Sequence, residues 1–303
     1  MTPRVFLLLL LLPLCASWAR AQGAVSVLKA EVVRAGSARP GATAGEHPFR
    51  FERNLIFFSA ELDGRSAQLI LDTGAPGLLV NNHGRPDQRT AATVGLGAGG
   101  AVSLTNQKIE SLSIGERDYG RWWALGLDLR SLESRTGQRI DGFVGHDLLR
   151  RGELRIDYPG RTFSLRRSRR APTAGGRAPR AVLPFEFVGH LPVVTLQSGG
   201  RRLRFAVDTG AGTSLVDPAS RAALVATGGQ IDIQGLDGQP AVHDLVGVEL
   251  AGLPAPAPTV SFAAMDLSHL RAGRRPIDGI IGSDLLASYV VGIDYRRRKI
   301  YLW

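Results

Sequence analysis

Apolar and polar positions alternate along most of this chain with the period of two that belongs to half-buried strands. Leu55 to Leu62 and Ala67 to Leu71 are two such runs, separated by Asp63-Gly64, a dipeptide suited to the tight turn of a hairpin. The second run ends on a carboxylate, in Leu69-Ile70-Leu71-Asp72-Thr73-Gly74. One Asp-Thr-Gly at a strand end is ordinary turn chemistry. This chain, however, makes it twice. Leu191 to Leu196 and Leu203 to Val207 form a second hairpin pattern that runs into Asp208-Thr209-Gly210-Ala211. Upstream residues align without a gap, so that Asn54 stands to Asp72 as His190 stands to Asp208.

The repeat continues downstream. Ile140-Asp141-Gly142-Phe143-Val144-Gly145 is answered by Ile277-Asp278-Gly279-Ile280-Ile281-Gly282, and Asp72 lies 69 positions before Asp141 as Asp208 lies 70 before Asp278. Closing hairpins follow in both, Leu154 to Tyr158 with Arg161 to Leu165, and Gly292 to Tyr295 with Lys299 to Leu302. The expected fold class is all-β: two homologous β-barrel lobes related by a pseudo-twofold, with a site between them.

Around the repeats lie segments of other character. Arg4 precedes the apolar run Val5 to Leu14, and Ala19-Arg20-Ala21 offers a small-x-small cleavage site, so residues 1–21 read as a signal peptide and the protein as exported, periplasmic or secreted. Residues 22–48 read as a leading strand, Val25 to Val33, and a loop. The first lobe spans 49–166 and the second 182–303. Between them 167–181 is rich in Arg, Pro and Gly without apolar period, the composition of a linker. The 303 residues suffice for two such lobes. The one cysteine, Cys15, lies in the signal segment, so the mature chain is expected to hold together by packing and not by disulfides.

Charge changes the picture less. The chain has 37 basic and 27 acidic residues, and loss of Arg4 and Arg20 leaves 35 against 27. In an exported protein this excess suits a peripheral contact with an anionic envelope surface, and no nucleic-acid partner is expected. Gly95-Leu96-Gly97-Ala98-Gly99-Gly100 fits the spacing of a dinucleotide fingerprint, but that motif needs a following helix, and the alternating residues after it read as strand. It reads better as a glycine-rich hairpin tip. His47, His83, His146, His190, His243 and His269 show no metal-ligand spacing and are assigned surface or capping roles. Asp141 and Asp278 read as turn residues. Ser214 and Ser283 have no histidine nearby in the sequence, which argues against a serine hydrolase.

A pseudo-twofold brings Asp72 and Asp208 face to face, and two carboxylates so placed share one proton and titrate as a unit. Such a pair can activate a water and protonate a substrate oxygen. With Ile70-Leu71-Asp72-Thr73-Gly74 and Phe143-Val144-Gly145 in one half, and Ala206-Val207-Asp208-Thr209-Gly210 and Ile280-Ile281-Gly282 in the other, the chain resembles the two-lobed aspartic proteases of the pepsin and retropepsin kind. The likeness covers about Phe49 to Trp303 and leans towards a tandem retropepsin-like, exported bacterial type.

The resemblance implies an aspartic endopeptidase with Asp72 and Asp208 as catalytic dyad. Thr73 and Thr209 would hydrogen-bond across the lobes beneath it, and Gly74 and Gly210 would turn backbone N–H groups to the carboxylates by close approach or unusual φ. It implies an extended polypeptide substrate, a monomer, and no metal or other cofactor. Two hairpin tips, at Gly95, Gly97, Gly99 and Gly100 and at Asp237 and Gly238, are expected to cover the cleft as lids. Pro76 and Gly212 depart from the polar residue often found there, and neither tip has an aromatic. Ala75 and Ala211 replace a hydroxyl residue, from which an acid limb at milder pH than in pepsin-like enzymes is expected. The alternative reading is an exported, non-catalytic peptide-binding module on the same fold; a further one has the lobes pairing between chains.

Overall fold

The computed structural model describes residues 45–83, 93–97, 100–220, 224–235, 240–254, 261–270 and 276–303, with Arg4–Phe6 and Leu12–Pro13. The expected strand from Val25 to Val33 lies outside the described residues. The architecture is all-β and two-lobed, as the alternation predicts.

Each lobe is built around a hairpin that delivers its aspartate. Leu55–Leu62 and Arg65–Leu71 pair through the Asp63-Gly64 turn, where φ is 53° and 72°. Leu191–Ser198 and Arg201–Val207 pair through Gly199-Gly200, at 54° and 76°. These positive values are what a two-residue hairpin turn matched to strand twist requires. The two hairpins carry the same order of buried and exposed positions, residue for residue. Period two then sorts the side chains. Leu55, Phe57, Ile70, Ala75 and Leu79 fill a small core in the first lobe, and their counterparts Leu191, Val193, Ala206, Ala211 and Leu215 fill one in the second. The opposite faces, Phe58, Leu69 and Leu71 with Val194, Phe205 and Val207, enter a larger core that runs through both lobes.

The segments after each aspartate fold back in the same way. Gly142–Val144 inserts parallel to Arg65–Leu71 and antiparallel to Leu78–Asn81, and Gly279–Ile281 inserts between Arg201–Val207 and Leu215–Val216 with the same polarities. Asp141 and Asp278, read from the sequence as turn residues, brace this insertion: each carboxylate accepts the backbone N–H of the facing strand, Gln68 in one case and Arg204 in the other, at 2.8 Å.

Among the described residues, one sheet has nine strands and contains the first lobe up to Val144; the other has fourteen. The larger sheet contains the second lobe and a floor shared by both halves, because the closing hairpin of the first, Glu153–Asp157 with Thr162–Arg166, joins the closing hairpin of the second, Val290–Asp294 with Lys299–Leu302. Glu153–Asp157 runs antiparallel to Val290–Asp294 in the middle of that floor. The segment 167–181 is tied along it, with Ser168 Oγ donating to Asp294 at 2.7 Å and Arg180 N–H to Leu302 O at 2.7 Å. The helix Arg130–Thr136, which ends on Gly137 in the left-handed conformation, was not anticipated; its seven residues carry too few turns to set up a helical period against the surrounding strands.

Candidate active site

Asp72 and Asp208 leave their strands at the same point. Asp72 N–H donates to Val144 O and Asp208 N–H to Ile281 O, both at 3.0 Å, so each aspartate is the first residue beyond its strand pairing and its side chain is aimed at the lobe interface. Below them the threonines interlock. Thr73 N–H donates to Thr209 Oγ1 and Thr209 N–H to Thr73 Oγ1, each at 3.0 Å. Thr73 Oγ1 donates in turn to Val207 O at 2.9 Å and Thr209 Oγ1 to Leu71 O at 2.8 Å. Four buried hydrogen bonds thus seat one loop on the other, and each hydroxyl both donates and accepts.

This seating brings the two carboxyl groups within hydrogen-bonding reach of each other, and both are buried. A Cβ at Gly74 would lie 2.5 Å from Asp208 Cγ, and one at Gly210 would lie 2.4 Å from Asp72 Cγ. Glycine is required here for close approach alone. Neither residue takes a positive φ, so the unusual backbone conformation expected as a second reason is not what the loops use.

The two carboxyls are not equal. Asp72 Oδ1 accepts Gly74 N–H at 2.8 Å and Ala75 N–H at 3.0 Å. Asp208 Oδ1 accepts Gly210 N–H at 2.8 Å; Ala75 and Ala211 N–H each donate to the backbone oxygen of their own aspartate at 3.3 Å, but only Ala75 also reaches the carboxylate, and Asp208 Oδ2 has no partner among the described hydrogen bonds. Burial pushes the carboxyl of Asp72 up, to about 6, against the opposing pull of its hydrogen bonds. Burial pushes Asp208 up further, with the charge of Asp72 added to it. The pair therefore holds one proton around neutral pH, and that proton is better placed on Asp208. Burial is the leading cause of both shifts.

A second tier crosses between the lobes. Asn54 Nδ2 donates to Gly212 O at 2.8 Å, and its counterpart His190 places Nε2 2.7 Å from Gly74 O. His190 is the residue that the sequence reading missed: it is buried in the interface and is neither a surface nor a capping histidine. The gapless alignment with Asn54 was the signal available. Burial lowers its pKa to about 4, so it is neutral at physiological pH. Beside it, His146 faces Tyr295 and His190 with ring centroids 5.6 and 6.3 Å away.

Of the expected lid residues, Gly95 and Gly97 lie in Thr93–Gly97 and Gly100 begins Gly100–Ile114, paired as a hairpin with Gly97 opposite Gly100. Gly99, Asp237 and Gly238 lie outside the described residues. Ser214 and Ser283 are both spoken for: Ser214 Oγ donates to Asp284 at 2.6 Å, and Ser283 Oγ donates to Thr209 O at 3.0 Å. Among the described residues no three His, Cys, Asp or Glu side chains gather as a metal ion would need.

No protein-family model matches the chain, and no curated protein matches it in sequence. Among solved structures, the aspartic proteinase from Irpex lacteus superposes with a TM-score of 0.51 at 13% identity, over 86% of this chain and 96% of that one. The chain accordingly has the two-lobed pepsin-like fold, with Asp72 and Asp208 meeting where its halves join.

Proposed function

We propose that this protein is an aspartic endopeptidase that hydrolyses peptide bonds through the Asp72/Asp208 pair. The observation that carries the reading is the pair itself: two carboxyls buried against each other, held by a symmetric frame of threonine hydrogen bonds and faced by backbone N–H groups. Burying two ionisable groups is costly, and a groove that only bound peptides has no need of it. In the reaction, ionised Asp72 takes a proton from the attacking water while Asp208 delivers its own to the carbonyl oxygen of the scissile bond. The tetrahedral gem-diol then collapses with cleavage of the C–N bond, the proton now on Asp72 passing to the leaving nitrogen while ionised Asp208 takes back the proton of one hydroxyl, which restores the starting state of the pair.

The substrate we propose is a polypeptide in extended conformation, lying between the lobes under the glycine-rich hairpins. Because the second half supplies the second aspartate in cis, the working form is a monomer. The signal-peptide pattern of residues 1–21 supports an exported protein, periplasmic or secreted, of bacterial tandem type, and the basic surface supports a peripheral contact with an anionic envelope. The test is digestion of a denatured protein mixture by wild type, Asp72→Asn and Asp208→Asn. Wild type is expected to cleave and to be blocked by a statine-type transition-state mimic, and each variant to lose about a thousandfold or more while remaining folded. Near-normal turnover by either variant, or loss of activity in chelator restored by zinc, would remove the reading.

A further inference from the structure

The hydrogen bonds on Asp72 belong to a chain that begins in the other lobe. Gly74 O can only accept, so the His190 nitrogen 2.7 Å from it, Nε2, carries the hydrogen. That carbonyl shares its peptide unit with Ala75 N–H, which donates to Asp72 Oδ1 at 3.0 Å. Donation to a peptide's oxygen polarises the unit and strengthens its N–H as a donor. The mirror-related tie lacks this continuation. Asn54 donates to Gly212 O, whose peptide partner is the N–H of Thr213, and the Asp208 carboxylate is served instead by Gly210 N–H, with Gly74 N–H also facing it.

We propose that His190 is a positioning residue for the dyad: acting from the second lobe through the Gly74–Ala75 peptide, it sets the hydrogen bonding of Asp72, so that Asp72 is prepared as the base only when the lobes are seated together. The role rests on the proteolytic reading of the pair. The groups facing these atoms are few. The His146 ring lies 6.3 Å from that of His190, Asp147 lies near it, and Asp208 and Tyr295 face Asp72. His190 is neutral over the working range, so replacing it removes a hydrogen bond and not a charge. Glutamine places its amide nitrogen where Nε2 stands; methionine matches the length without a donor.

The experiment titrates the aspartate carboxyl carbons by NMR in uniformly aspartate-labelled protein, with Asp72 assigned by its loss in Asp72→Asn, and measures kcat and KM on a peptide. His190→Met is expected to raise the Asp72 titration by about half a pH unit. It is expected to lower kcat about tenfold with KM nearly unchanged, since the displaced loop misplaces the reacting group. His190→Gln restores both, and Asn54→Leu, which loosens the mirror tie, leaves the Asp72 titration in place. Should His190→Met not fold, His190→Asn, whose amide stops short of Gly74 O, carries the same expectation. An unmoved titration in the donorless variant, no rescue by Gln, or an equal shift in Asn54→Leu would overturn the proposal. A titration that moves as stated in a protein without peptidase activity would uphold the role of His190 and remove the proteolytic reading instead.

Discussion

The loops carrying Asp72 and Asp208 share the sequence Asp-Thr-Gly-Ala and the threonine frame, yet they are fastened from opposite directions. The Asp208 loop, besides its tie from Asn54, is locked mainly by side chains of its own lobe. Ser214 gives its N–H and hydroxyl to Asp284 at 2.8 and 2.6 Å, Gly282 N–H donates to Ser214 Oγ at 3.0 Å, and Ser283 joins Thr209 O to Tyr158 across the floor. At the equivalent places around the Asp72 loop stand Leu78, Asp147 and His146 of the first lobe and Tyr295 of the second. Leu78 is apolar, Asp147 turns out to Arg150 at 3.4 Å, and His146 Nδ1 and Tyr295 Oη are buried without a hydrogen-bond partner among the described residues. His146 and Asp147 hold the Asp72 loop by backbone N–H alone, to Ala75 O at 2.9 Å and Pro76 O at 3.2 Å, and the side chain that ties it is His190, from the other lobe. The frame common to both halves places the carboxyls; the differences around it decide which of them keeps the proton.

The symmetric part of this comparison is tested by paired substitutions with large effects. Gly74→Ala and Gly210→Ala each drive a methyl to within 2.5 Å of the opposite carboxyl, and each is expected to reduce kcat by about a hundredfold or more. If only one of the two did so, the close approach would not be mutual. Thr73→Val and Thr209→Val each strip a hydroxyl that both donates and accepts in a buried setting, and urea unfolding is expected to show losses of about 2 to 4 kcal/mol, alike for the two. Values differing by more than about 1 kcal/mol would mean that the frame is less symmetric than its distances.

The asymmetric part has a smaller signature, in the dependence of stability on pH. Asp72 is raised from an unfolded value near 3.8 to about 6, so its contribution to stability is full below the unfolded value and is lost as pH rises through the folded one. Asp72→Asn is therefore expected to be more stable than wild type by about 3 kcal/mol at pH 7.5 and hardly so at pH 3.5. His190 acts in the reverse sense. Its pKa falls from 6.5 to about 4, so its contribution is full above 6.5 and lost as pH falls through 4. His190→Gln should lessen the acid destabilisation and leave the alkaline side alone. Denaturation midpoints measured across pH 3.5 to 8 for the two variants would show these opposed slopes, and slopes of one sign would break the assignment.

Much of this was legible in the chain because period two and an internal repeat reinforce each other. The hairpins into Asp72 and Asp208, the inserted Gly142–Val144 and Gly279–Ile281 and the pairing of the two aspartates all follow from matching intervals. What was not legible depends on side chains meeting across the halves. His190 looks like any loop histidine until the lobes are folded against each other, and the Ser214–Asp284 lock joins residues 70 positions apart that have no matching pair in the first repeat. The merging of both closing hairpins into one floor is likewise a property of the assembled pair, since either hairpin alone reads as the end of its own lobe.

The central claim, that Asp72 and Asp208 work as a pair sharing one proton, is met most directly by kcat/KM for a peptide substrate measured from pH 3 to 9. Below its lower titration the pair is doubly protonated and has no base; above its upper one it is doubly ionised and has no acid. The account predicts a bell with its acid limb near 6, where burial has placed Asp72, and no measurable profile in either Asp→Asn variant. A rate that rises through a single step to a plateau, or a bell that survives in Asp208→Asn, would contradict it.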